Sequence, residues 1–304
     1  MNNYYVDLNH RDLLAVSGKD SELFLQGQLT CDLSKLAESD SCPGCICDNK
    51  GRVIASFTLW KLQHVYYLDM EAGLADLAEQ HLLKYAVFYK SDIRRMPAQF
   101  IRFGLIGAEA QRLLKDKFPA LPVAINQVTE ADGNFLRLLD ADLLRYELWL
   151  TNTTPDTITE NPFKQALPLG EYTDWQVLDQ NQGLYRLRAE DAGTYTPEEL
   201  NYDLLGHISF TKGCYTGQEI VARMHYRGKA KKRLYRLQIQ SELHPMKKMK
   251  ISTHENKTVG ELMEVIELDI GQYQALAVAN GFIQEEPDLY MEQLPDASIK
   301  LISQ

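Results

Sequence analysis

The eight residues Lys-Gly-Cys-Tyr-Thr-Gly-Gln-Glu, at positions 212–219, constrain the fold more than any other part of the chain. Their glycines, Gly213 and Gly217, allow backbone conformations that other residues resist. The overlapping segment 216–224 carries apolar residues at helical spacing. Cys214 is therefore predicted to lie in a tight turn, at or just before the N-terminus of a helix.

That position favours a reactive thiolate. Unpaired N–H groups and the helix dipole stabilise a negative charge at a helix N-terminus, and the thiolate is the nucleophilic form of cysteine. Lys212 is expected to lower the thiol pKa further, so Cys214 and Lys212 are the candidate catalytic residues. A glycine-rich turn around an inert, buried cysteine is the alternative. The other members of the motif are Gly213, Tyr215, Gly217, Gln218 and Glu219.

The chain has 304 residues, which is long for one core and suggests about two domains. No run approaches the ~20 apolar residues needed to span a bilayer. The N-terminus has neither the basic region nor the apolar core of a signal peptide. We therefore expect a cytoplasmic protein with no membrane partner, in which the five cysteines are reduced.

A second group of cysteines comprises Cys42, Cys45 and Cys47. Their spacing could hold a metal or cycle as a dithiol. A closed zinc site needs a fourth ligand, however, and neither Cys31 nor His64 completes a common zinc spacing. The sequence favours structural cysteines and no metal site, with metal binding left open.

A basic strip at residues 223–236 contains seven Lys or Arg and no acid. The net charge of −10 disfavours broad nonspecific nucleic-acid binding by the whole chain. A local positive strip beside a candidate site indicates an anionic ligand such as RNA or an acidic partner. A solvated linker is the alternative. The basic residues are Arg223, Arg227, Lys229, Lys231, Lys232, Arg233 and Arg236.

The order of predicted elements indicates an α+β fold. Residues 53–60 and 65–68 predict a hairpin, and residues 72–89 predict a helix. Strands and helices are mixed without regular β-α-β alternation, which favours α+β over a doubly wound sheet. After residue 230, short strand-like runs separated by turn residues predict a small barrel or sandwich.

Three further segments lie in order along the chain. They are Gln-Gly-Gln-Leu-Thr at 26–30, Cys-Asp-Asn-Lys-Gly at 47–51 and Lys-Tyr-Ala-Val-Phe at 84–88. Together with residues 212–219, they resemble the signature of the YgfZ family. This is a family of folate-binding, tRNA-modifying proteins related in fold to the aminomethyltransferase (T-protein) of glycine cleavage.

The resemblance implies an architecture and a role. Residues 1–230 would form two mixed α/β lobes of T-protein type, which bind tetrahydrofolate in a central channel and carry the cysteine motif. Residues 231–304 would form a C-terminal β-barrel. The implied role is as an accessory factor in the synthesis or repair of iron–sulfur enzymes, among them a tRNA methylthiotransferase. In this role Cys214 is the central residue, with Lys212 beside it.

The chain departs from the family pattern at one folate contact. Some members carry a tryptophan near the N-terminus, where this chain has Arg11, while the second folate-contacting tryptophan is kept as Trp175. The resemblance thus makes Trp175 and Arg11 the predicted folate-binding residues. Because arginine suits bidentate recognition of carboxylates, Arg11 is expected to meet the glutamate tail of the folate.

A second departure separates the chain from aminomethyltransferases. Ala55 and Ser56 stand where those enzymes carry an acidic pair, and no acid occurs between Gly51 and Trp60. Aminomethyl transfer would lack its expected acid–base partner, so whether the chain is an enzyme stays open. The alternatives to the accessory factor are a non-catalytic RNA- or partner-binding protein and, less favoured, a folate-dependent one-carbon transferase.

Overall fold

The computed structural model describes residues 3–96, 101–150, 163–228, 230–253, 255, 257–284 and 288–303. It contains two five-stranded antiparallel sheets and a closed six-stranded barrel, which confirms the predicted α+β class. The strands are β1 Tyr4–Asp7, β2 Asp12–Ser17, β3 Ser41–Cys47, β4 Val53–Leu62, β5 Val65–Met70, β6 Asp92–Arg95, β7 Ile101–Ile106, β8 Val128–Ala131, β9 Asn134–Asp140, β10 Arg145–Leu150, β11 Lys232–Gln240, β12 Lys250–Thr253, β13 Thr258–Asp269, β14 Gln272–Asn280, β15 Leu289–Met291 and β16 Leu294–Ser303. The helices are α1 Ser21–Gln26, α2 Leu74–Ala86, α3 Ala108–Lys115, α4 Tyr172–Asn181 and α5 Gln218–Arg227.

The first sheet has the strand order β3-β4-β5-β2-β6. The predicted hairpin is confirmed as β4 and β5, which pair antiparallel. The predicted helix is α2, which buries Leu74, Ala78 and Leu82 at four-residue spacing against this sheet. The edge strand β3 carries the three closely spaced cysteines, and an edge position tolerates its Pro43.

The second sheet has the order β1-β7-β10-β9-β8. Helix α4 packs on it through Trp175, which is fully buried. A Cβ atom at Gly104 of β7 would lie 2.5 Å from the Trp175 ring. The glycine therefore lets the indole approach the sheet closely.

The chain crosses between the sheets close to its N-terminus. Strand β1 pairs with β7 in the second sheet, whereas β2 pairs with β5 and β6 in the first. The turn between β1 and β2 therefore lies between the two sheets, and it carries Arg11. This crossing places charged side chains at the centre of the molecule.

The closed barrel has the order β11-β14-β13-β12-β15-β16 and encloses its own apolar core. The predicted strand-like runs correspond to β11, β12, β13, β14 and β16. The short β15 was not predicted. Of the helices that the described ranges contain, none is long and apolar enough to cross a membrane.

Candidate functional site

Two glycines pack the turn at residues 47–51 against the start of α5. Gly217 precedes the helix with φ +85, and a Cβ atom there would lie 2.4 Å from the carbonyl oxygen of Asp48. Gly51 has φ +70, and its Cβ would lie 3.0 Å from Ile220. Side chains other than glycine resist this backbone conformation and would clash here. The two motif segments are thus in direct contact.

Lys212 fastens the same loop to the segment 26–31. Its ammonium group donates hydrogen bonds to the carbonyl oxygens of Gln26, Leu29 and Cys31, at 2.8, 2.6 and 2.8 Å. Thr216 adds a backbone hydrogen bond to the carbonyl of Gly27, at 3.2 Å. Three segments that are far apart in sequence therefore meet at the cysteine loop, defined here as residues 209–217.

The cysteine loop contains both buried and exposed residues. Lys212 and Tyr215 are buried, whereas Gly213 and Cys214 are exposed. All five cysteines are described, and Cys214 is the exposed one. Helix α5 begins four residues later, with Gln218 and Glu219 in its first turn. The carboxylate of Glu219 interacts favourably with the helix dipole at this end.

The charge of Lys212 acts on a cysteine other than the predicted one. A hydrogen bond from the Cys42 thiol lowers the pKa of Cys31, burial opposes this, and the Lys212 ammonium lowers it further. The same hydrogen bond raises the pKa of Cys42. The sequence did not indicate this pair, although Cys31 directly follows the segment 26–30. The effect of Lys212 on the Cys214 thiol stays a prediction.

The closely spaced cysteines lie inside the first lobe. The Sγ atoms of Cys45 and Cys47 are 4.0 Å apart, as expected for two residues on one face of a strand. A Cβ atom at Gly44 would lie 2.8 Å from the Sγ of Cys31, so the glycine makes room for that thiol. Within the described ranges, no three His, Cys, Asp or Glu side chains are grouped so that they could hold a metal ion.

Glu198 is a buried carboxyl group close to the cysteine loop. It is 1% exposed, and burial raises its pKa to about 7. Its charge contributes to raising the pKa of Tyr215 and of Cys47, so it lies within electrostatic range of both. A glutamate of this kind changes its protonation near neutral pH.

A buried ionic network joins the two sheets. The Arg11 guanidinium pairs with Asp69 of β5 and, at 2.7 Å, with Glu147 of β10. Arg137 of β9 pairs with the other oxygen of Glu147, at 2.8 Å. Burial opposes ionisation of Glu147, but Arg137, Arg11 and Arg186 hold its pKa far below the usual range. The side chain of Arg11 is 1% exposed and is already neutralised by protein carboxylates.

The barrel joins the same network through Arg188. This guanidinium contacts Glu71, directly after β5, at 2.6 Å and Glu264 of β13 at 3.0 Å. Burial opposes ionisation of Glu71, but hydrogen bonding to His10 and the nearby Arg11 and Arg188 lower its pKa to about 2. Salt bridges thus connect all three sheets at one place.

Trp175 lies inside the second lobe. Its ring packs with Val6, Leu8 and Ile106, and the Arg145 guanidinium carbon lies 3.9 Å from its centroid. This close approach is a cation–π contact. A direct folate contact at Trp175 would require this packing to open.

A cavity of about 150 Å³ lies between the two sheets. Its polar lining includes Ser56, Thr58, Asp69, Glu71 and Arg137. Apolar groups also line it, and the exposed Ile125 stands at its edge. Burial lowers the pKa of the lining residue His207 to about 3, which keeps its imidazole neutral. Arg11 and Trp175, the predicted folate contacts, are not among the residues that line this cavity.

The basic strip is divided between solvent and protein. Arg223, Lys231 and Lys232 are exposed. Arg233 instead pairs with Asp203, and Arg236 donates to the side-chain oxygen of Asn181 at 2.9 Å. Lys229 and the side chain of Arg227 lie outside the described residues.

Comparison with known proteins identifies the family and the fold of this chain. No protein-family model matches the chain. The chain is 34% identical over 239 residues to the tRNA-modifying protein YgfZ of Colwellia psychrerythraea, a match that covers 79% of this chain and 72% of that protein. The chain belongs to the YgfZ family.

The fold of this YgfZ-family protein is that of the glycine cleavage T-protein. The aminomethyltransferase T structure from Bartonella henselae matches all of the chain and 85% of its own, with a TM-score of 0.81 and 16% identity. The predicted resemblance is therefore confirmed in both family and fold. At this identity the match shows the fold alone.

Replacing Lys212 tests its place in the YgfZ-family loop. Lys212→Met removes three hydrogen bonds from a charged donor, each contributing about 1.5–3 kcal/mol, and also removes the cost of burying the ammonium. We expect the free energy of unfolding to fall by about 2–4 kcal/mol in urea titrations. Lys35→Met is the matched control, because the Lys35 side chain is 69% exposed. Equal stability of the two variants would contradict the anchoring role.

The predicted effect of Lys212 on Cys214 needs a separate measurement. The rate of alkylation of the exposed thiol by iodoacetamide, followed against pH, reports its pKa. A higher pKa in Lys212→Met than in Lys35→Met is expected if the ammonium acts on Cys214. An unchanged profile would restrict the charge of Lys212 to the buried Cys31.

Glu198 predicts a pH-dependent stability. Its folded pKa of about 7 lies above the ordinary glutamate value of 4.5. The unfolded chain therefore loses this proton first, and stability falls as the pH rises from about 4.5 to 7. Glu198→Gln should remove that loss and increase the free energy of unfolding at pH 8 by about 1–3 kcal/mol, with little effect at pH 4.5. Glu199→Gln is the control, and a gain independent of pH would refute the assignment.

Proposed function

We propose that this protein is a tetrahydrofolate-binding accessory factor for iron–sulfur enzymes that modify tRNA, and that Cys214 is its reactive group. The observation that carries the proposal is that residues 26–31 and 47–51 pack against residues 212–219, the segment that carries one exposed thiol. Its family relative is called a tRNA-modifying protein, which supports a role in tRNA modification.

The setting of Cys214 suits reaction with a large partner. The thiol is exposed, while the backbone on both sides is fixed by the inward-pointing Lys212 and Tyr215. A thiol held on a rigid loop can reach a cluster or a cysteine on another protein without local unfolding. This favours transient contact with a client enzyme over chemistry in a closed pocket.

The central cavity supports folate as the ligand. Hydroxyl groups of Ser56 and Thr58 line it together with Arg137, whose Nε atom has no hydrogen-bond partner within the described part of the chain. A buried donor of this kind favours a ligand that can accept a hydrogen bond. The cavity is smaller than the ~300 Å³ lower end of typical ligand sites. A folate would occupy it with one end and extend past the exposed Ile125.

The carboxylates of this cavity weigh against aminomethyl transfer. Strand β4 contributes Ser56, and the acids Asp69 and Glu71 come from the end of β5. Both are paired with arginines, and a hydrogen bond with His10 together with these arginines lowers the pKa of Glu71 to about 2 despite its burial. A carboxylate held this strongly ionised is a poor acid or base near neutral pH. The accessory role is therefore preferred to a one-carbon transferase.

Blocking the cavity tests folate binding without disturbing the buried Trp175. Anaerobic titration with tetrahydrofolate, followed by tryptophan fluorescence, should show saturable binding to the unmodified protein. Leu205→Trp places an indole at a cavity-lining position and should weaken binding at least tenfold, a change of about 1.4 kcal/mol. Leu204→Trp is the control, because the neighbouring Leu204 is 65% exposed. Equal binding by both variants would move the ligand elsewhere.

The role of the thiol is tested in cells. In a strain that lacks its own family member, Cys214→Ala should fail to restore methylthiolation of tRNA, because the proposed reaction needs the sulfur. Cys42→Ala is the matched control, since it removes a half-buried thiol that is hydrogen-bonded to Cys31. Full restoration by Cys214→Ala would refute the proposed role, whatever the outcome of the folate titration.

A further inference from the structure

Three aromatic rings form an exposed shelf beside the cysteine loop. The rings of Phe210 and His225 are stacked, with centroids 3.7 Å apart and planes at 14°. Tyr226 stands edge-on to His225, at 4.9 Å and 84°. Phe210 packs against the core of the first lobe, whereas His225 and Tyr226 are exposed. We call Phe210, His225 and Tyr226 the aromatic shelf.

The stack of Phe210 and His225 could be extended by a further ring. Phe210 packs against one face of the His225 imidazole. The Tyr226 ring, 67% accessible, lies edge-on beside the imidazole. Another flat ring laid on His225 would continue the stack and touch Tyr226. Stacking of a further ring on these solvent-exposed aromatic side chains is energetically favourable.

Two exposed cations, Arg223 and Lys35, lie near the shelf. Arg223 is exposed on α5 one turn before Tyr226, a spacing that makes two residues neighbours on a helix surface. On the other side, Lys35 donates to the hydroxyl of Thr211, the residue after Phe210, at 3.2 Å. Lys35 also forms a salt bridge with Asp32 at 3.5 Å, but its side chain is 69% exposed whereas that of Asp32 is 9% exposed. Cations thus flank the rings in a protein whose net charge is −10.

We infer that the aromatic shelf and its flanking cations bind single-stranded RNA next to Cys214. An unpaired base would stack on His225 against Tyr226, while the adjoining phosphates meet Arg223 and Lys35. Stacking platforms combined with basic side chains are how proteins hold single strands. A duplex keeps its bases stacked on each other and could use only the cations.

This inference deepens the proposed function by naming an RNA partner of the same surface, and it rests on that proposal for the link to tRNA. Helix α5 rises 1.5 Å per residue, so Tyr226 lies about 12 Å along its axis from Gln218. The thiol precedes the helix at the opposite end from Tyr226. RNA bound on the shelf would therefore lie alongside the cysteine loop and not on top of the thiol.

Fluorescence anisotropy with a labelled single-stranded RNA of 12 nucleotides tests the inference on the full chain. His225→Ala and Tyr226→Ala should each weaken binding by about 5- to 150-fold, the range measured for loss of one stacked base. Tyr226→Trp should retain binding. Arg223→Gln should reduce the slope of log affinity against log salt by ~0.7, the value for one phosphate of a single strand. Phe88→Ala is the control, because Phe88 is an exposed aromatic residue in the segment after α2, 84% accessible.

Four outcomes would overturn the inference. They are no RNA binding, equal affinity for the corresponding duplex, unchanged binding by both shelf variants, and tighter binding to a poly-glutamate peptide than to RNA. Circular dichroism checks that the variants fold. If an alanine variant does not fold, Tyr226→Trp keeps the test decisive. RNA binding that survives in Cys214→Ala, together with normal methylthiolation, would refute the proposed thiol role and leave the shelf standing. Normal binding by the shelf variants with methylthiolation lost in Cys214→Ala would do the reverse.

Discussion

One arginine at the crossing between two sheets organises the centre of this molecule. The chain leaves the second sheet after β1 and enters the first at β2, and Arg11 lies in the turn between them with carboxylates from both sheets around it. Removing one partner from a buried pair typically costs about 3–5 kcal/mol, because the other charge is left uncompensated. The geometry of the two lobes is therefore tied to the complete set of charges.

This network and the cysteine loop are held by different means. Around the cavity, charged side chains fix one another, and the carboxylates of Asp69 and Glu71 are committed to arginines. At the cysteine loop, glycines with positive φ allow close backbone contact and a lysine binds carbonyl oxygens. The carboxylates Asp69 and Glu71 that line the cavity are thus already paired, while the loop displays one thiol to solvent. Under the proposed function, the cavity would hold the folate while the loop meets a client enzyme.

Local signals predicted the elements that local sequence controls. The β4–β5 hairpin, the amphipathic α2 and most barrel strands were predicted from their patterns. The packing of α4 is set by the contact between Trp175 and Gly104, which no local pattern specifies. The family resemblance marked the motif segments, but not how they touch. The targets of Lys212 and Arg11 are backbone carbonyls and carboxylates more than 50 residues away, which no local pattern specifies.

The early position of β1 has a consequence for biosynthesis. About 90 residues separate the end of β1 at Asp7 from the start of its partner β7 at Ile101. At translation rates of ~5–20 residues per second, the ribosome releases β1 about 5–20 s before that partner exists. During this interval the nascent first lobe can pair β2 with β5, while the N-terminal strand waits without a sheet. Its length of four residues limits its capacity to pair wrongly with other chains in the meantime.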